Sequence, residues 1–171
     1  MLFRSIFVST VAIFMFSATT RASCAQRSGV RVQGPWIYTK QIDRATEMAQ
    51  DMATTMATGE DNVWLVLVCS QDGQMTVSFM HIEEFSYPID GRVNVSLRMD
   101  THPKLTMPAL RVNSKQISID PGSSHDLLPL LVDSDRSSVT IPDSLGNIHE
   151  YTFILQPNDL ALGNIRAKCL T

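Results

Sequence analysis

Cysteine is scarce in this chain: three in 171 residues, at positions 24, 69 and 169. None stands in a CxxC or beside a histidine, so the ligand spacing of a structural zinc site is absent. Positive charge is also thin. Fourteen lysines and arginines face seventeen aspartates and glutamates, and basic residues never run to three. The formal net charge of −3 argues against a nucleic-acid partner, which would require a basic patch to neutralise phosphates. No glycine-rich phosphate loop is present. The acidic clusters Glu83-Glu84 and Asp133-Ser134-Asp135 lack the alternation of a calcium loop and read as solvated loops.

What is present begins with a leader. Met1 to Arg4 form a short basic region, and SIFVSTVAIFMFSATT (5–20) is a mostly apolar run. It is marginally short for a membrane span and right for a signal peptide. Ser23-Cys24-Ala25 places small residues where cleavage after Ala25 needs them, and Thr20-Arg21-Ala22 permits cleavage after Ala22. A third reading makes Cys24 the lipidated residue of an anchored lipoprotein, although Arg21 stands where a lipobox wants an aliphatic side chain. The expected organisation is a signal peptide over residues 1–25 and one domain over 26–171, periplasmic or secreted, with no membrane span in the mature chain. The leader holds two basic residues and no acidic one, so its removal takes the net charge from −3 to −5.

Cleavage leaves Cys69 and Cys169. In an oxidising compartment an isolated pair normally forms a disulfide, and two cysteines allow one intramolecular connectivity. The closed loop spans 100 residues. A catalytic thiol is the weaker reading, because Cys69 closes the apolar run VWLVLVC, where burial would raise its pKa.

Along the domain, Gly34-Pro35 is turn punctuation and Trp36–Ile42 suits a strand. Residues 45–58 are ambiguous. Met48, Met52 and Met56 recur every four residues, which fits a helical stripe, but four is also twice two, the period of a strand face. Local composition leans slightly to helix. Beyond it, Val63 to Cys69 reads as a buried strand, Gln71-Asp72-Gly73-Gln74 as a hairpin turn, and Met75, Val77 and Phe79 as one face of the returning strand. VNVSLRMD (93–100) alternates cleanly, apolar residues inside and Asn94, Ser96, Arg98 and Asp100 outside. Pro103 and Pro108 mark a loop, and residues 110–119 read as two short strands across Asn113-Ser114-Lys115. Ser123 or Ser124 is the expected cap of a Leu-rich helix with Asp126 in its first turn. SSVTIP and HEYTFIL form a last hairpin, and Asn158 or Asp159 caps a terminal helix that delivers Cys169. Seven to nine short strands with one or two short helices near the C-terminus predict a mainly β domain, an antiparallel sandwich or a partly closed barrel.

The order of Trp36, WLVLVC, MTVSF, the Arg-x-Asp ending at Arg98 and Asp100, a Leu-rich helix, YTFIL and a terminal helix closing on Cys169 resembles the type VI secretion-associated VasI-like group of small periplasmic proteins and its uncharacterised secreted relatives. Those proteins usually end in Cys followed by an aromatic residue, whereas Leu170 and Thr171 follow Cys169 here. The resemblance implies a β-rich domain, moving residues 45–58 from helix to strand. It further implies a bridged Cys69–Cys169 pair and an accessory, non-catalytic role with no active site to carry over.

Two chemical suspicions remain. Thioethers suit Cu(I), and Met48, Met52, Met56, Met75, Met80, His81, Met99, His102 and Met107 are candidate ligands for a periplasmic copper protein. The commoner use of methionine is to fill an apolar face, and no Met-x-Met pair supplies close ligands. Ser123-Ser124-His125-Asp126 contains the residue types of a hydrolase, but triads are assembled from distant positions; His125 and His149 are the histidines on which a hydrolase would be built. Arg98 and Asp100 are expected to pair across the sheet in preference to forming a recognition surface. The reading is thus a secreted, disulfide-bonded, non-catalytic protein with an unknown protein partner, an accessory of an envelope or secretion assembly or an inhibitor of an extracellular hydrolase. It needs no cofactor and no metal.

Overall fold

A computed structural model describes residues 31–42, 48–59, 62–82, 91–100, 102–143, 145–157 and 159–169. The expected signal peptide and Cys24 lie outside them, as do residues 45–47 of the ambiguous stretch. The strands are β1 (Arg31–Gln33), β2 (Trp36–Ile42), β3 (Ala49–Met56), β4 (Val63–Ser70), β5 (Met75–His81), β6 (Arg92–Met99), β7 (Leu105–Asn113), β8 (Gln116–Ile119), β9 (Arg136–Pro142) and β10 (Ile148–Ile154). The helices among the described residues are α1 (Pro121–Val132) and α2 (Leu160–Cys169).

All ten strands belong to one sheet in the order β1-β2-β3-β4-β5-β8-β7-β6-β9-β10. Every pairing is antiparallel. The sheet curls until its far strand meets β3 again: Ala57 bridges Phe153, and Thr58 N–H donates to the Thr152 carbonyl at 2.7 Å. A sheet of alternating residues has one oily face, and curling it encloses that face. Of the two expected architectures, the partly closed barrel is therefore the one found.

The register lays Asp51, Cys69 and Met75 in one inward row and Thr55, Leu65, Phe79 and Ile117 in another. Val95, Leu97, Met99, Val139 and Phe153 supply the opposite wall. Phe79 and Phe153 meet across the interior with ring centroids 6.3 Å apart. Fully burying each such ring contributes roughly 1.5–3 kcal/mol. Trp36 is fully buried, and its Nε1–H donates to the Leu155 carbonyl at 2.5 Å.

Residues 49–56 are strand, not helix. Asp51, Ala53 and Thr55 face in while Met52 and Met56 face out, and pairing with both β2 and β4 overrides the helical propensity of alanine and methionine. Strand β1, unread in the sequence, precedes the Gly34-Pro35 turn. Gly34 has φ +67, and a Cβ there would lie 2.6 Å from an Asp159 oxygen.

Two further expectations are corrected. Pro108 is not in a loop but inside β7. Its carbonyl accepts from Asp120 N–H just beyond the residues that pair with β8, so the missing N–H falls where no ladder bond is required. Helix α1 starts at Pro121 with Asp120 as N-cap, and Asp126 is past its first turn. Proline at the first position is pre-set for a helix start. The Asp72-Gly73 hairpin turn stands where expected, between β4 and β5, with Gly73 at positive φ closing it.

The terminal helix is capped by Asp159, whose carboxylate accepts from Ala161 N–H at 2.7 Å. It ends on Cys169, bonded to Cys69 with a Cα–Cα distance of 5.9 Å. Among the described residues no helix is long and apolar enough to cross a membrane.

Candidate functional site: the outer face of the curled sheet

Helices and core occupy the inner face, which leaves the outer one uncovered. Its two ends differ. At one end the register aligns Met56, Trp64 and Met80 on neighbouring strands. Met56 is 38% exposed, and Ile82 and Val112, at the same end of the sheet, are 49% and 47% exposed. Behind this row Val66 is buried although it faces outward.

This arrangement divides the methionines. Met75 and Met99 lie in the core and Met107 packs against it, whereas Met52, Met56 and Met80 lie on the outer face. Met48 precedes β3 and is exposed. The candidate copper ligands are not brought together. Among the described residues, no group of three or more His, Cys, Asp or Glu side chains is placed to hold a metal ion.

At the other end lies a groove of 430 Å³ lined by Ser96, Arg98, Asp100, Lys104, Arg136, Ser138, Thr140 and Glu150, with Leu97. Strands β6 and β9 form its floor. Arg98 stands opposite Ser138, Ser96 opposite Thr140, and Thr140 opposite Glu150 on β10. Arg98 makes no ion pair across the sheet among the described residues, contrary to expectation; it faces Ser138. Asp100 adopts φ +39 and turns its carboxylate onto the backbone, accepting from Asp135 N–H at 2.6 Å and Arg136 N–H at 3.1 Å. That latch fixes where β9 begins and aligns Arg136 beside Arg98. Among the described residues Arg98, Lys104 and Arg136 make no ion pair; the ion pairs there involve Lys40, Lys168, Arg166 and His149. Sequence reasoning found Arg98 and Asp100 but missed Lys104, Arg136, Ser138, Thr140 and Glu150. Alternation alone puts most of these on an outer face, but the adjacency of β6 and β9 is not written in either strand.

The hydrolase candidates stay apart. Ser124 is fully buried in α1, donating to the Ile119 carbonyl and accepting from Val77 N–H, while His125 and Asp126 are exposed on the same helix. His149 lies on the last hairpin with Nε2 3.4 Å from Asp143 and its ring stacked on Tyr151. The Asn147 side chain, with backbone N–H groups and His149, holds the Asp143 carboxyl down at about 2 against the opposing effect of desolvation. Asp159 shifts the other way: burial raises it, and the Ala161 N–H offsets only part. Inside the sheet, Asp51 accepts from the Tyr38 hydroxyl, with Lys168 Nζ at 3.5 Å and Lys40 Nζ at 4.0 Å.

No protein-family profile matches the chain, and no curated protein matches it. A solved structure is similar: that of invasion associated protein B from Bartonella henselae, with a TM-score of 0.53 over 81% of this chain and 96% of that one, at 11% identity. At that identity the likeness is one of fold alone. It supports the curled antiparallel sheet with its helices and does not bear on the VasI-like resemblance.

Proposed function

We propose that this chain is a secreted or periplasmic, non-catalytic binding protein that docks on a protein partner through the apolar end of its outer face. The observation that carries this is the outward row of Met56, Trp64 and Met80 with the exposed Ile82 and Val112 beside it. Aromatic residues and methionine are the side chains enriched at the cores of protein interfaces. The apolar leader and the Cys69–Cys169 bond support an oxidising compartment. The VasI-like resemblance supports an accessory of an envelope or secretion assembly, and inhibition of an extracellular hydrolase is the other form such docking takes. The similar structure belongs to a protein named for invasion, which fits a surface or exported setting.

Site-specific photo-cross-linking in the producing cell tests this. A photoreactive residue at Trp64 or Met80 is expected to give one discrete adduct with a partner protein, and none at the exposed His125 on α1. Equal labelling at all three positions, or none at any, would overturn the proposal.

A further inference from the structure

We propose that the groove between β6 and β9 is a second, independent site, and that it takes an acidic glycan: sugars bearing carboxylates. Its cations are not engaged in ion pairs among the described residues. Arg98 faces a serine where a structural arginine would face a carboxylate, and Asp100 is already held by the backbone of Asp135 and Arg136. Arg98, Lys104 and Arg136 therefore present donors to whatever enters, and arginine forks fit carboxylates in a bidentate manner.

The floor narrows the class. Ser96, Ser138 and Thr140 offer hydroxyls that both give and take hydrogen bonds, which suits sugar hydroxyls. Glu150 lines the same groove, opposite Thr140. Any anionic group, phosphate or carboxylate, would be repelled by that carboxylate at this end of the groove. A sugar hydroxyl would donate to it. The groove is thus cationic at one end, hydroxylated in the middle and acceptor-bearing at the other end, which suits a ligand with a carboxylate at one end and sugar hydroxyls along the rest.

Titration calorimetry on the full mature protein separates these possibilities. The probe is oligogalacturonate, with its fully methyl-esterified form as the uncharged control. The acid form is expected to bind and the ester to bind at least about tenfold more weakly, the scale of one lost charge-assisted contact. Arg98→Gln and Arg136→Gln should each weaken binding about tenfold, while Arg92→Gln, on the same strand outside the groove, should leave it unchanged. Thermal unfolding of each variant establishes that it is folded. Glu150→Ala gives the decisive sign: a glycan hydroxyl on Glu150 predicts weaker binding, whereas simple charge attraction predicts stronger binding. Stronger binding would overturn the proposal. So would indifference to both arginine variants, or Arg98-dependent capture of phosphatidylglycerol vesicles without binding of oligogalacturonate. None of these variants touches the Met56–Trp64–Met80 row, so this site and the protein-docking face fail or stand separately.

Discussion

The two halves of the sheet hold themselves together differently. From β1 to β5 the strands are backed by α2, which is tied to β4 through Cys69–Cys169 and to β2 and β3 through Lys168, Asp51, Lys40 and Tyr38. There the lysine charges turn towards a buried acid, and the outward face is left apolar. From β6 through β9 to β10 no covalent link intervenes. Carboxylates instead grip loop backbones, Asp100 at the entry to β9 and Asp143 in the β9–β10 hairpin, and the arginines are left pointing out. The side on which a domain uses its charges to fold decides which surface keeps its cations unpaired.

Breaking the bond of the first half should have the largest effect. Replacing Cys69 and Cys169 with serine is expected to destabilise the domain by up to about 4–5 kcal/mol, the loop-entropy ceiling for a loop of this length. Urea unfolding measures the loss. Hydrogen exchange should rise more in α2 and β4 than in β6 and β9, and equal loosening of both halves would erase the contrast drawn here. The counterpart in the second half is Asp100→Ala. It frees two backbone N–H groups and leaves a side chain with no polar atom at positive φ, a cost of about 1–2 kcal/mol. Exchange at Asp135 and Arg136 should quicken while α2 stays protected.

The smallest effect is one of pH, and it sets the halves in opposite directions. Asp143 is depressed from 3.8 to about 2, so its contribution is complete above pH 3.8 and lost as pH falls through about 2. Asp159 is raised, so its contribution is complete below 3.8 and declines as pH rises through its higher folded value. NMR titration followed at the Asn147 and Ala161 amides checks both. A midpoint at 3.8 for both carboxyls would remove the distinction.

Alternation, apolar runs and turns made most strands legible. β5 and β6 lie close to where period-two patterning puts them, β4 where its unbroken apolar run does, and β9 and β10 where the turn between them does; scarcity of cysteine made the Cys69–Cys169 pair readable. Residues 49–56 were not decidable locally, because a period of four serves helix and strand alike; the two flanking strands decide. Pro108 hid the start of β7, since its tolerance depends on where β8 stops. The groove was half legible. Arg98 and its outward face follow from β6, but Arg136 and Glu150 join it only because β9 docks beside β6, after an intervening β7–β8–α1 excursion. The closing bridge of Ala57 to Phe153 left no local signature at all.

The separation of 100 residues between the bonded cysteines also has a meaning in time. A chain is made from its N-terminus, so β3, β4 and β5 are available to pair long before α2 exists. Throughout that interval Cys69 is an unmatched thiol, open to exchange with other disulfides. The bond can form only once Cys169 has been made, a hundred residues after its partner. By then all ten strands have left the ribosome's active site, so the staple closes on a chain that already holds the whole sheet's sequence.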